Sequence, residues 1–152
     1  MRRLAAIVVA AGLVVGSAPA ATASDWNYKN PSKPSKNPSD LKSSQYRGWH
    51  YEKKWEPFRK CVMARESGGN YKVDGPWGSG AYQFVQISWN TAMKRANKPE
   101  WVGVRPNKAP PAYQDEAFWI MANPYPKKPA LHGRHHWSSA HAATIGAKVR
   151  DC

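Results

Sequence analysis

The sequence predicts a small α+β domain, mostly helical, with a minor β-element. Apolar residues recur at helical spacing in several separate stretches after residue 55. Prolines and glycines cluster between those stretches, where they punctuate loops, and largely spare their interiors. Only one short run, Ala81 to Val85, offers itself as a strand.

The elements follow in chain order. Met1-Arg2-Arg3 is a basic start, and Leu4 to Val15 is an uncharged apolar run. That run fits the hydrophobic region of a signal peptide and is short for a membrane span. Ala18-Pro19-Ala20 and Ala21-Thr22-Ala23 both offer the small-x-small pattern of a cleavage site, so residues 1–23 are expected to be a signal peptide cut after Ala20 or Ala23. A retained anchor is the alternative, but the run ends in Ser, Pro and Thr with no stop-transfer charges. Residues 24–48 are rich in Pro, Ser, Lys and Asn and almost lack apolar side chains, which predicts a flexible or extended basic linker. A single domain is expected over 49–152, in a mature chain of about 130 residues.

Within the domain, Trp55, Phe58, Val62 and Arg65/Glu66 recur at helical spacing. Pro57 suits the first turn of that helix, and Gly68-Gly69 supplies its stop. A turn-rich stretch runs from Asp74 to Gly80, and the candidate strand Ala81–Val85 follows. Gln86 to Ala96 reads as a second helix, with Trp89 and Met93 on one face and assigned to the core. Pro99 to Pro111 is a loop. Tyr113 to Ala122 reads as a third helix, its buried side formed by Tyr113, Ala117, Phe118, Ile120 and Met121. After a proline-broken loop over 123–133, Trp137 to Lys148 is a candidate final helix.

Cys61 and Cys152 are the only cysteines. In an exported chain an isolated pair is expected to form a disulfide, and closing so long a loop contributes roughly 4 kcal/mol in the chain-entropy model. Two free thiols are the alternative; metal ligation would want a CxxC spacing that is absent. The chain carries 23 Lys+Arg against 10 Asp+Glu, a net charge of +13, which points to a polyanionic partner. Export argues against nucleic acid. No basic amphipathic stretch is long enough for a membrane helix, so no stable membrane insertion is expected once the signal is cut. What remains is the anionic cell wall, with its peptide carboxylates and phosphate polymers, and a secreted, wall-associated monomer is expected. Eight Trp and seven Tyr suit the flat C–H faces of sugar rings.

Glu66 falls at the predicted C-terminal end of a helix, among aromatic residues. Both the helix dipole and partial burial disfavour a negative charge there. A carboxyl kept protonated near neutral pH is what a glycosidic oxygen needs in order to leave. By itself the position also fits an ordinary solvated Glu closing a helix.

Two sequence blocks carry the case further. Glu66-Ser67-Gly68-Gly69-Asn70-Tyr71 is followed by Gly80-Ala81-Tyr82-Gln83-Phe84-Val85-Gln86-Ile87-Ser88-Trp89. Together they resemble the resuscitation-promoting-factor domain, a compact relative of lysozymes and soluble lytic transglycosylases. The resemblance is strong over residues 66–89 and extends over about 55–122. It implies a lysozyme-like fold and action on the β-1,4 link between N-acetylmuramic acid and N-acetylglucosamine, with Glu66 as the acid and no cofactor or metal. It places Gln83, Gln86 and Ser88 beside the cleft that holds the peptidoglycan glycan strand, with Ser88 where Thr is common, and Tyr71 as an aromatic platform where Trp is frequent; the short-range pattern around the acid adds Trp77 and Tyr82 to the expected cleft walls. The family often has Cys directly before the Glu. Here Arg65 holds that place, and Cys61 lies one helical turn earlier.

Glycosidases usually work with two carboxylates. Asp74 is the next acidic residue after Glu66, and it is either that second group or a turn residue before Gly75. With one acid, cleavage is substrate-assisted: the N-acetyl group stabilises the cation, and Glu66 then activates the sugar's own 6-hydroxyl, as in a lytic transglycosylase, or water, as in a muramidase. Two other functions stay open. A module of the same fold could bind wall or signal without turnover. His132, His135, His136 and His141 could bind zinc in a wall peptidase, although the tract lacks HExxH and holds no acidic residue.

Overall fold

The computed structural model describes residues 37–128, 132–138 and 152. The expected signal peptide, the first half of the expected linker, His141 and most of the candidate helix Trp137–Lys148 lie outside them. Three α-helices form the body: α1 (Glu56–Ser67), α2 (Gln86–Arg95) and α3 (Pro111–Ala122). Short 3-10 turns at Pro38–Asp40, Lys53–Trp55, Pro99–Trp101, Pro106–Lys108 and His132–Trp137 join and flank them. No helix among the described residues is long and apolar enough to cross a membrane.

Each helix begins and ends for a local reason. Pro57 sits in the first turn of α1, where its missing N–H costs no hydrogen bond. Gly68 closes the helix in the left-handed region (φ 62°), its N–H donating to the Ala64 carbonyl, and the Gly69 N–H reaches back to Met63. α2 stops at Ala96, before Asn97 turns left-handed (φ 55°). The fixed φ of Pro111 opens α3.

α3 is the central element. The apolar face expected for it is buried or half-buried, but burial continues around the helix: Ala117, Phe118, Trp119, Ile120 and Ala122 are all at most 1% exposed. A helix apolar nearly all round is a core helix, with other elements packed on every side. Phe118 meets Tyr82 (ring centroids 4.7 Å apart), Trp137 (4.8 Å) and Phe58 (6.1 Å). Phe84 bridges Trp89 and Trp137. Trp89 and Met93 lie in the core as the helical spacing of α2 requires, and the Trp89 indole N–H donates to the Trp101 carbonyl at 2.9 Å.

Two expectations change. The run Ala81–Val85 forms no strand; Ser79 makes isolated antiparallel bridges to Asp74 and to Phe84. Gln83 breaks any extended run by adopting φ 50°. Residues 37–48, expected to be the end of a flexible linker, pack against the helices. Leu41 is buried (6% exposed) against the end of α1, where a Cβ on Gly69 would touch its side chain. The Ser44 hydroxyl accepts from the indole N–H of the buried Trp119 (3.1 Å), Tyr46 packs half-buried against the core, and buried charges hold the backbone. The Ser44 N–H donates to Glu56 Oε1 (2.8 Å) and the Gln45 N–H to Asp115 Oδ2 (2.6 Å). The Lys42 carbonyl accepts from the Arg59 guanidinium (2.6 Å).

Arg59, fully buried, is the centre of that network. Its guanidinium also donates to Glu56 Oε1 at 2.7 and 2.9 Å and to the Tyr82 hydroxyl at 2.6 Å. Asp115 lies 3.7 Å away and accepts from the hydroxyls of Tyr71 (2.8 Å) and Tyr82 (2.5 Å). Buried ions survive because each is paired and hydrogen-bonded. On the far side of α1, Cys61 is joined to Cys152 by a disulfide, with Cα atoms 5.7 Å apart.

Candidate active site

Glu66 occupies the last turn of α1, directly before the Ser67-Gly68 closure. Its side chain is only 12% exposed. The neighbouring Arg65, 4% exposed, donates to Glu66 Oε1 from both Nε (3.0 Å) and a terminal nitrogen (2.7 Å). That terminal nitrogen also donates to the Trp137 carbonyl (2.9 Å). Ser67 Oγ donates to the Ala81 carbonyl (2.8 Å), which ties the end of α1 to the turn carrying the second sequence block.

The expected cleft residues divide into groups. Trp77, Gln83, Gln86 and Ser88 reach the surface, Trp77 at 47% exposure and the others partly. Gln83 donates to the Gly80 carbonyl, and Gln86 to Asn90 Oδ1 and the Val104 carbonyl, so both amides are fixed by local partners. Tyr71 is half-buried with its hydroxyl turned inward to Asp115. Tyr82 lies in the core at 1% exposure, stacked on Phe118 and bonded to Arg59 and Asp115. Burial, with the Asp115 carboxylate beside them, pushes the Tyr71 and Tyr82 hydroxyls well above the ordinary tyrosine range.

Asp74 is exposed, paired with Arg105 and bridged to Ser79. Arg105 also donates to the Gly75 carbonyl (2.7 Å). These contacts make Asp74 a working part of its turn. His135 Nδ1 donates to the His132 carbonyl (3.0 Å), and its ring lies 4.2 Å from that of His136. Among the described residues no three His, Cys, Asp or Glu side chains gather as a metal-holding group.

The sequence marks Arg65 only by its helical spacing and as a departure from the resembled family's Cys, and gives it no role, and it does not point to the braces behind the second block. Gln114, fully buried, accepts from the Ala81 N–H and donates to the Tyr71 and Ala109 carbonyls. A Cβ at Gly80 (φ 77°) would collide with its Oε1, so this close approach needs glycine. A signal for Gln114 did exist: the polar run Gln114-Asp115-Glu116 leads directly into the apolar stretch Ala117–Ala122 of the same helix.

The described residues thus form a mostly helical domain with an acidic side chain held at a helix end by a buried arginine. Over 66 residues the chain is 36% identical to two probable transglycosylases, SceD 3 and SceD 1, of Staphylococcus saprophyticus, a stretch covering 42% of this chain and 26% of each relative. The chain therefore spans about a quarter of the length of the curated relatives it matches. The similarity is of a transglycosylase-like kind. No family model matches the chain, and no solved structure is significantly similar to it.

Proposed function

We propose that this chain is an exported enzyme that cleaves the glycan strands of peptidoglycan at the N-acetylmuramic acid β-1,4 N-acetylglucosamine bond. Its fold is a compact lysozyme-like one of the resuscitation-promoting-factor kind, and Glu66 is its one catalytic acid. The observation that carries this reading is Glu66 itself, held by Arg65 at a glycine-capped helix end in a chain similar to probable transglycosylases. Glu66 gives its proton to the leaving glycosidic oxygen, and the substrate's N-acetyl group supports the cation. The carboxylate then takes a proton from the sugar's 6-hydroxyl, giving an anhydro end, or from water, giving a reducing end. Asp74 has its turn and Arg105 to serve, which favours the single-acid route. Trp77, Gln83, Gln86 and Ser88 present the outer wall of the strand-binding cleft, and Tyr71 a half-buried edge. Tyr82 supports that wall from the core. The +13 charge draws the protein to anionic wall polymers.

Mass spectrometry of purified sacculi digested with the full chain tests this. Anhydro-muramyl fragments identify a lytic transglycosylase, and reducing ends a muramidase. Cut peptide stems that vanish on chelation would replace this reading with a zinc peptidase. Sacculi bound but left intact would make the chain a binding module.

A further inference from the structure

We infer that a second face of this chain, built on Trp49, Tyr125 and Lys127, binds the carboxylate-bearing glycan strands of the wall apart from the candidate active site. The inference takes its target polymer from the reading above and uses none of the residues around Glu66.

Trp49 is 64% exposed and Tyr125 61%. The two belong to segments fastened to each other. His50 Nδ1 donates to the Asn123 carbonyl (2.9 Å), and the Asn123 amide donates back to the His50 carbonyl (2.9 Å). Glu52 Oε1 accepts from the same amide (3.3 Å) and from the Lys127 N–H (3.4 Å). Tyr51 sets its ring edge-on to the buried Trp119, with centroids 5.1 Å apart. These contacts root the face in the core ahead of the first turn of α1. Glu66 sits in the last turn, and a helix of 12 residues is about 18 Å long.

The turn that carries Lys127 departs from the usual chemistry. The Lys128 N–H donates to the Tyr125 carbonyl (3.3 Å), with Pro126 second in the turn and Lys127 third at φ 70°. At positive φ that third place ordinarily goes to glycine or asparagine, because other side chains are strained there. Here a lysine holds it, and its ammonium lies 4.7 Å from the centre of the Trp49 ring. Strain kept where glycine would relieve it points to a task for the side chain. Lys53 and Lys128, next in sequence to Glu52 and Lys127, are exposed as well. The Glu52 carboxylate is already engaged by Lys54 at 2.9 Å, so the face presents positive charge.

That combination selects the ligand. The large exposed aliphatic side chains of the described residues, Val85 and Ile87, belong to the start of α2 and not to this face. Two rings of about 150–250 Å² each fall well short of the roughly 800 Å² that a stable protein partner covers on each side. A sugar ring fits better: its flat C–H face stacks on indole or phenol, and a carboxylate it carries meets the ammonium anchored beside that ring. A strand alternating N-acetylglucosamine with N-acetylmuramic acid and its peptide stems offers both groups in every repeat.

Binding of the full, disulfide-bonded chain to purified sacculi stripped of phosphate polymers tests this. Glu66→Gln is the common background, so that the sacculi stay whole. Trp49→Ala is expected to weaken binding about 10-fold. Lys127→Gly removes the ammonium and relieves the turn: binding should fall about two- to fivefold while Tm drops by no more than about 2 °C. Lys94→Ala removes one exposed charge on α2 and should leave binding at its starting value. Undiminished binding in both Trp49→Ala and Lys127→Gly overturns the inference, as does a loss in Lys94→Ala equal to that in Lys127→Gly. A Trp49 effect seen only on sacculi that retain their phosphate polymers overturns it in favour of those polymers. If Trp49→Ala binds stripped sacculi fully but loses a single-stranded oligonucleotide, the face is one for nucleic acid and the inference falls. The two readings separate. A chain that cleaves no glycan yet grips stripped sacculi through Trp49 and Lys127 sinks the enzymatic reading and supports this one, whereas a cleaving chain indifferent to both residues sinks this one alone.

Discussion

Asp115→Asn is the substitution whose cost follows most directly from the described contacts. Asp115 is fully buried and receives hydrogen bonds only from donors: the Tyr71 and Tyr82 hydroxyls on Oδ1, and the Gln45 N–H on Oδ2. Asparagine keeps the shape but turns one of those oxygens into a donor, so at least one buried donor must face another. A buried group left unsatisfied costs about 1–3 kcal/mol. Arg59 also loses a carboxylate at 3.7 Å, and breaking a buried ion pair outright costs roughly 3–5 kcal/mol. Because Arg59 keeps Glu56 at 2.7 Å, the combined loss should sit near the lower bound, about 2–4 kcal/mol. That corresponds to a fall in Tm of about 10 °C for a domain of this size. Thermal melts by near-UV circular dichroism measure it. The same change loosens Gln45, so trypsin should cut after the exposed Lys42 faster than in wild type. A melt within about 2 °C of wild type, with Lys42 cleavage unchanged, would refute the view that buried charges fasten this segment.

Glu66→Gln should reduce glycan cleavage by about 100- to 10,000-fold with the fold and wall binding retained, while Asp74→Asn should do far less; muropeptide release from sacculi compares them. Tyr71 and Tyr82 hold their protons above the ordinary value of 10.0 in the folded chain, so the unfolded state loses them first as pH rises. The stability they contribute is complete below the unfolded value and declines above it, and urea midpoints should drop between about pH 9 and pH 11 as phenolate absorbance lags behind free tyrosine. Protein from the exported fraction should take up no alkylating reagent at Cys61 and Cys152 until reduced, and reduction should lower stability by about 4 kcal/mol or less; two reactive thiols before reduction would contradict the bond.

What was legible in the sequence was what apolar periodicity and backbone punctuation encode. Phe58 and Val62 locate α1, Trp89 and Met93 locate α2, and Gly68 marks where α1 ends. Residues 37–48 were not legible. Their apolar burial is limited to Leu41 and the half-buried Tyr46, and much of their anchoring runs from backbone atoms to Glu56, Arg59 and Asp115. No side-chain pattern in the segment announces that. The strand expected at Ala81–Val85 failed on one residue, Gln83, whose left-handed backbone no propensity forecasts. Tyr82 was read as a cleft residue by its place in a motif, yet its hydroxyl has two buried partners across the domain. The position of Glu66 at a helix end could be read; the grip of Arg65 could not, since it depends on a carbonyl 72 residues away.

The docked segment also sets the smallest piece of this chain that could be moved intact to another protein. A fragment cut at Trp49, where the composition shift suggests a boundary, would strip Glu56 and Asp115 of backbone donors and Arg59 of a carbonyl acceptor. It would also remove Ser44, whose hydroxyl receives the indole N–H of the buried Trp119. Water would then reach ionised groups that the intact chain keeps dry. A transplantable unit must begin ahead of Leu41, and any upstream fusion or tether is best joined there, outside the contacts that seal the charged interior.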